Sequence, residues 1–87
     1  MLLLGMYAVN DEKAKAFFNP FVARQKAEAH RSFGDSIKDP AGNLGKHPGD
    51  FALYQLGTFD PVTGEIEGFS KPELVCRGSD FADKIKG

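Results

Sequence analysis

The chain has 87 residues, 41% hydrophobic and 26% charged, with eight Phe, one cysteine and a formal net charge of −1. That length supports one domain and one core, and the composition is that of a globular chain rather than a disordered one. The charge gives no global pull toward nucleic acid, a lone Cys76 excludes an internal disulfide, and no CxxC or Cys/His spacing suggests zinc.

Taken in chain order, the start (Met1-Leu2-Leu3-Leu4-Gly5-Met6) has no basic leader, its apolar run is short, and Asp11 and Glu12 follow at once. It therefore reads as a strand over residues 2–9 rather than a targeting signal. The run is apolar on both alternating faces, which places this strand inside a sheet. Residues 11–16 are polar and basic, suiting a loop or a short turn of helix.

Asn19-Pro20 is a favourable helix start, because Asn caps free amides and Pro loses nothing at the first helical position. A helix is expected over residues 20–37. Val22, Ala23, Ala27, Ala29, Phe33 and Ile37 share one arc, with Arg24, Gln25, Glu28, Arg31, Ser32, Asp35 and Lys38 on the other. Arg24/Glu28 and Arg31/Asp35 are spaced to neutralise each other. Gly34 lowers helix propensity but permits close packing on a sheet.

Residues 39–48 (DPAGNLGKHP) read as a loop. A strand over 51–59 puts Phe51, Leu53 and Phe59 on one face and Ala52, Tyr54 and Leu56 on the other. Asp60-Pro61-Val62-Thr63-Gly64 is the clearest turn signal, with Gly64 accepting a left-handed conformation. Residues 65–69 return as a strand, Glu65 and Glu67 facing water and Ile66 facing in. After Lys71-Pro72 a short edge strand spans 74–76. The fold class is two-layer α+β, with one main helix on a small, mostly antiparallel sheet, in the order strand, helix, hairpin, strand. Residues 1–77 form the domain and 78–87 a polar, frayed tail, unless Phe81 docks it.

No catalytic motif, phosphate-binding glycine pattern or paired metal ligands appear, so no enzyme activity, metal or cofactor is expected. His47 with Asp50 reads as a turn entering a strand, and Cys76 as a small buried strand residue. Lys26 and His30 project into the apolar arc; Lys26 snorkels and His30 packs at its edge, or a partner or nucleic acid covers that end of the helix in place of the sheet. No segment approaches the roughly 18 apolar residues of a membrane span. With no disulfide or metal, self-association to a homo-oligomer is expected.

Charge is unevenly spread: residues 1–48 hold seven Lys and Arg against five Asp and Glu, and residues 49–87 hold four against seven. Within the basic half, Lys13, Lys15, Phe17, Phe18, Phe21, Arg24 and Lys26 interleave cations with aromatic rings, with Arg31 following on the helix. Such a segment can hold phosphates while bases stack on exposed rings. A chain this small also needs Phe residues inside, and core packing is the first expectation for them.

Phe18-Asn19-Pro20-Phe21, Ala23-Arg24, Glu28-Ala29, Arg31-Ser32-Phe33, Lys46-His47-Pro48, Asp50-Phe51, Leu53-Tyr54, Leu56-Gly57, and Phe59-Asp60 with Thr63-Gly64 occur in that order. Together they resemble the small non-structural protein of gokushovirus-type microviruses, phages with circular single-stranded DNA. The likeness covers most of residues 6–69, and in such relatives the chain begins near Met6. The resemblance implies a non-structural role in genome replication, in the cytoplasm of the infected bacterial host. Either the protein binds single-stranded DNA directly, or it is an adaptor docking on the replication initiator, host helicase or procapsid.

Overall fold

An apolar run with no polar break suits the middle of a sheet, and the first strand, β1 (Leu4–Asp11), lies there. The computed structural model describes residues 2–81. One edge of β1 pairs with β4 (Phe51–Phe59) and the other with two short strands, β2 (Ala16–Phe17) and β3 (Phe21–Ala23). β5 (Ile66–Arg77) lies outside β4, and every pairing is antiparallel. The main helix, α1 (Lys26–Lys38), packs Ala29, Phe33 and Ile37 onto Tyr7, Phe51, Leu53 and Cys76. This is the expected two-layer α+β architecture.

Residues directly opposite in an antiparallel ladder share a face. Val9, Leu53 and Cys76 lie in one row and Tyr7 lies opposite Phe21, all beneath α1. The alternate rows are Ala8, Tyr54 and Leu74, then Phe17, Asn10, Ala52 and Arg77. They line the opposite, open face.

The helix starts later than Asn19-Pro20 suggests. Gln25 is its cap residue, with no side-chain cap bond, and Phe21–Ala23 instead pair with Gly5–Tyr7. Backbone groups along that edge of β1 need partners, and Phe21-Val22 fits a pleated surface better than a helical first turn. Ala29, Phe33 and Ile37 are buried as expected, whereas Val22 and Ala27 are exposed. Residues 12–15 form a hairpin turn linking β1 to β2, and the loop before β4 contains a helical turn, α2 (Asn43–Lys46). Leu44 packs against the core, which anchors that turn.

Besides an extra residue in β5, Val75 between the partners of Leu53 and Tyr54, two irregularities change the later strands. Tyr7 and Met6 are adjacent, yet their β4 partners are Gln55 and Gly57, so Leu56 is an extra residue. Beyond this bulge the faces exchange. Phe59 consequently lies opposite Leu4 and Ile66 on the open face, not with Phe51 and Leu53. Ile66, expected to face in, is 64% exposed. Glu65 and Glu67 are exposed as expected. The second irregularity is that Lys71-Pro72 does not break the chain: residues 69–72 bulge out between Gly68 and Glu73, and β5 continues to Arg77. An edge strand tolerates the missing N–H of Pro72.

The turn at residues 60–64 forms as its sequence indicates. The Asp60 carboxylate accepts hydrogen bonds from the Val62 and Thr63 amides (2.9 and 3.4 Å). Gly64 has φ +81° and donates its amide to the Asp60 carbonyl at 2.7 Å. Phe81 docks on the core, 6% exposed, its ring 5.9 Å from that of Phe33. Gly34 makes room for this ring rather than for the sheet, since a Cβ there would lie 2.6 Å from Phe81 Cε1. The tail expected to fray thus starts with a docked segment, and its remainder, residues 82–87, lies outside the described residues.

Candidate nucleic-acid interface

The basic, aromatic-interleaved segment folds along one edge of the sheet. β2 and β3 both pair with the same side of β1, Ala16 opposite Asp11 and Ala23 opposite Gly5. Six residues of β1 separate these points, about 20 Å at roughly 3.4 Å per residue. Lys13 and Lys15 stand in the hairpin turn at one end, and Arg24 and Lys26 follow β3 at the other. Arg31 is exposed on α1, a turn and a half beyond Lys26.

The three Phe residues between them separate. Phe21 is partly buried, packed on the core with its ring 6.0 Å from Tyr7, as core packing requires. Phe17 and Phe18 are 44% and 41% exposed. Phe17 stands on the open face against Tyr54, and Phe18 turns the other way, its ring 5.9 Å from that of Phe51. A ring backed on one side by a core residue and open on the other is a platform on which a planar base can stack.

The electrostatics of the hairpin turn favour an anion more than its sequence suggests. Asp11 and Glu12 precede Lys13, but both carboxylates are engaged. Asp11 Oδ1 accepts from the amides of Lys13 and Ala14, each at 3.1 Å. Glu12 Oε2 holds the Arg77 guanidinium at 3.0 Å. Lys15 adopts a left-handed backbone, φ 59°, a conformation costly for a residue with a Cβ. Strain of this kind concentrates at sites of function.

The expected neutralisation of the helix arginines does not occur. Glu28 Oε1 instead accepts the Arg24 amide at 3.0 Å, because Arg24 precedes the helix and lacks the i, i+4 geometry. Among the described residues the one ion pair is Arg77–Glu12, so Arg31 and Asp35 are also unpaired with each other. Lys26 is exposed at the first turn of α1, not projecting into an apolar arc. His30 packs at the edge of the stripe, its ring 5.0 Å from that of Phe81. Nearer Arg24 than the hairpin turn, a hollow of about 390 Å³ is lined by Asp60, Glu65 and Glu67, the wrong sign for phosphate. Attraction is therefore strongest at Lys13 and Lys15.

Elsewhere the chemistry is sparse. Cys76 is buried on β5, and burial, with Asp80 nearby, pushes its thiol up to about 11. His47 leads into the short turn Pro48–Asp50, its carbonyl accepting the Asp50 amide at 3.0 Å. Among the described residues no group of three or more His, Cys, Asp or Glu could hold a metal ion. No helix among them is long and apolar enough to cross a membrane.

The family model for the Phage ORF5 protein matches residues 4–81, which span every element from β1 to β5 and the docked Phe81. The chain belongs to the Phage ORF5 protein family. No curated protein matches it, and no solved structure does. Membership makes this a bacteriophage protein and covers the whole sheet with the candidate edge.

Sequence reasoning left open which Phe residues are core, because spacing does not distinguish β2 from a loop. The left-handed Lys15 and the engagement of Asp11 and Glu12 had no signal in the sequence, where the polar run 11–16 suits a loop or a short turn of helix alike.

Proposed function

We propose that this phage protein is non-enzymatic and assists single-stranded-DNA genome replication by binding single-stranded DNA along the β2–β3 edge. The reading rests on one observation above others: Phe18, 41% exposed, lies beside a hairpin turn whose lysines make no ion pair among the described residues while its acids are engaged. Lys13 and Lys15 hold phosphates, Phe18 stacks a base, and Arg24, Lys26 and Arg31 extend the track toward α1. The resemblance to gokushovirus-type non-structural proteins supports the genome type and the host cytoplasm as the place of action.

The net charge of −1 keeps the affinity modest. Titration of a labelled single-stranded oligonucleotide at low salt tests the proposal. Saturable binding is expected, weakened by Phe18→Ala by about 1–3 kcal/mol. No binding at tens of micromolar protein removes the DNA role and leaves an adaptor for the replication initiator, host helicase or procapsid.

A further inference from the structure

Among the described residues, one whole face of the sheet has no second layer. α1 and the docked Phe81 pack on the side of Tyr7, Leu53 and Cys76, and the alternate residues of every strand face the other way. We infer that a second copy of this chain covers that face, sheet on sheet, about a two-fold axis.

The composition of the face selects the partner. Phe17, Val22, Ile66 and Leu74 are 44–64% exposed there, with Tyr54 and Met6 between them in the ladder. The charged side chain in these rows is Arg77, already held by Glu12 at 3.0 Å. Among the described residues a nucleic acid would find no free cation in these rows, so apolar burial is the available driving force. A two-fold pairing supplies a matching apolar surface from the chain itself, because the same patch serves both partners.

The area is sufficient. Four strands at about 4.8 Å and about eight residues at roughly 3.3 Å give a face of about 19 by 26 Å, on the order of 500 Å² in projection. Two such faces together bury about 1,000 Å², which reaches the lower bound for a specific interface. The outer edge of β5, opposite the β2–β3 edge, is poorly suited to self-pairing. Pro72 lacks a donor, residues 69–72 bulge from the ladder, and Lys71 and Glu73 flank the proline.

Sedimentation equilibrium of the full chain from low to high micromolar concentration tests this, with carbene footprinting on the same samples. The expected mass is twice 9.5 kDa, with labelling of Ile66 and Leu74 falling at least several-fold as the dimer forms. The double variant Ile66→Lys/Leu74→Lys should be monomeric, and Val62→Lys, at the exposed 60–64 turn, should still dimerise. Footprinting of the wild type decides the matter even if the double variant fails to fold. A 9.5 kDa species throughout overturns the inference. So does a dimer whose protected residues lie on α1 or the outer β5 edge, or protection of Ile66 and Leu74 that appears only on adding DNA.

Discussion

The Phe17 ring meets the Tyr54 ring edge-on, centroids 5.7 Å apart and planes at 76°, across the strand that separates β2 from β4. The contact ties a two-residue strand to the middle of the sheet on its open face. β2 has few ladder bonds of its own, so this aromatic pair fixes where the hairpin turn sits. A double-mutant cycle on Phe17→Leu and Tyr54→Leu should give a coupling of about 0.5–1.5 kcal/mol. Additive effects in urea unfolding would show that the rings do not support one another.

Phe33 is 2% exposed between α1 and the sheet. Phe33→Ala should cost roughly 3–5 kcal/mol by chemical denaturation, through lost burial and the cavity left behind. Near-wild-type stability would mean the ring is not in the core.

Gly34 sets two effects against each other. Alanine would gain about 1 kcal/mol of helix propensity, but its Cβ would lie 2.6 Å from Phe81 Cε1. The ring is packed against Phe33 and His30 and is only 6% exposed, so its displacement disturbs the core. Steric displacement wins, and Gly34→Ala should lower the melting temperature. In the Phe81→Ala background the same change should be neutral or stabilising.

The two hairpin turns predict opposite signs. Gly64 has φ +81° with open space around its Cα, so Gly64→Val should destabilise through backbone strain alone. Lys15 has φ 59°, and Lys15→Gly should stabilise by about 1 kcal/mol as that strain is released. Thermal melts of the two variants moving in the same direction would contradict the assignment.

Burial raises the Cys76 thiol from its ordinary 9.0 to about 11 in the folded protein, with Asp80 adding to the shift. The raised folded value means the stability it contributes is fully present below pH 9. It is lost as pH rises through about 11, because the unfolded chain ionises first. Cys76→Ala should flatten the fall in stability over that window. Native thiol labelling at pH 8 should be slow and accelerate on unfolding.

Much of the core was legible because Ala29, Phe33 and Ile37 keep helical spacing and because Asp60 to Gly64 carries turn chemistry. The start of α1 was not. Asn19-Pro20 is a sound local signal, but the edge of β1 offered Phe21–Ala23 hydrogen bonds that no local propensity reveals. Ile66 reads as inward only if β4 is regular, and the Leu56 bulge reverses that. For the candidate interface, the residue types were visible as an alternation of Lys and Phe. Which rings stay open depended on β2 forming, and the freedom of Lys13 and Lys15 depended on Glu12 reaching Arg77, 65 residues away.

The salt dependence of single-stranded-DNA binding, compared between the wild type and Lys13→Ala/Lys15→Gly, tests the proposed edge most directly. Lys15→Gly preserves the left-handed turn, so a loss of affinity cannot come from a broken hairpin. Each phosphate contact contributes about 0.7 to the slope of log K against log salt, so the double variant should flatten it by roughly one unit. Phe18→Ala should weaken binding with little change in slope. A double variant that binds with the wild-type affinity and slope would place the DNA elsewhere and contradict the account.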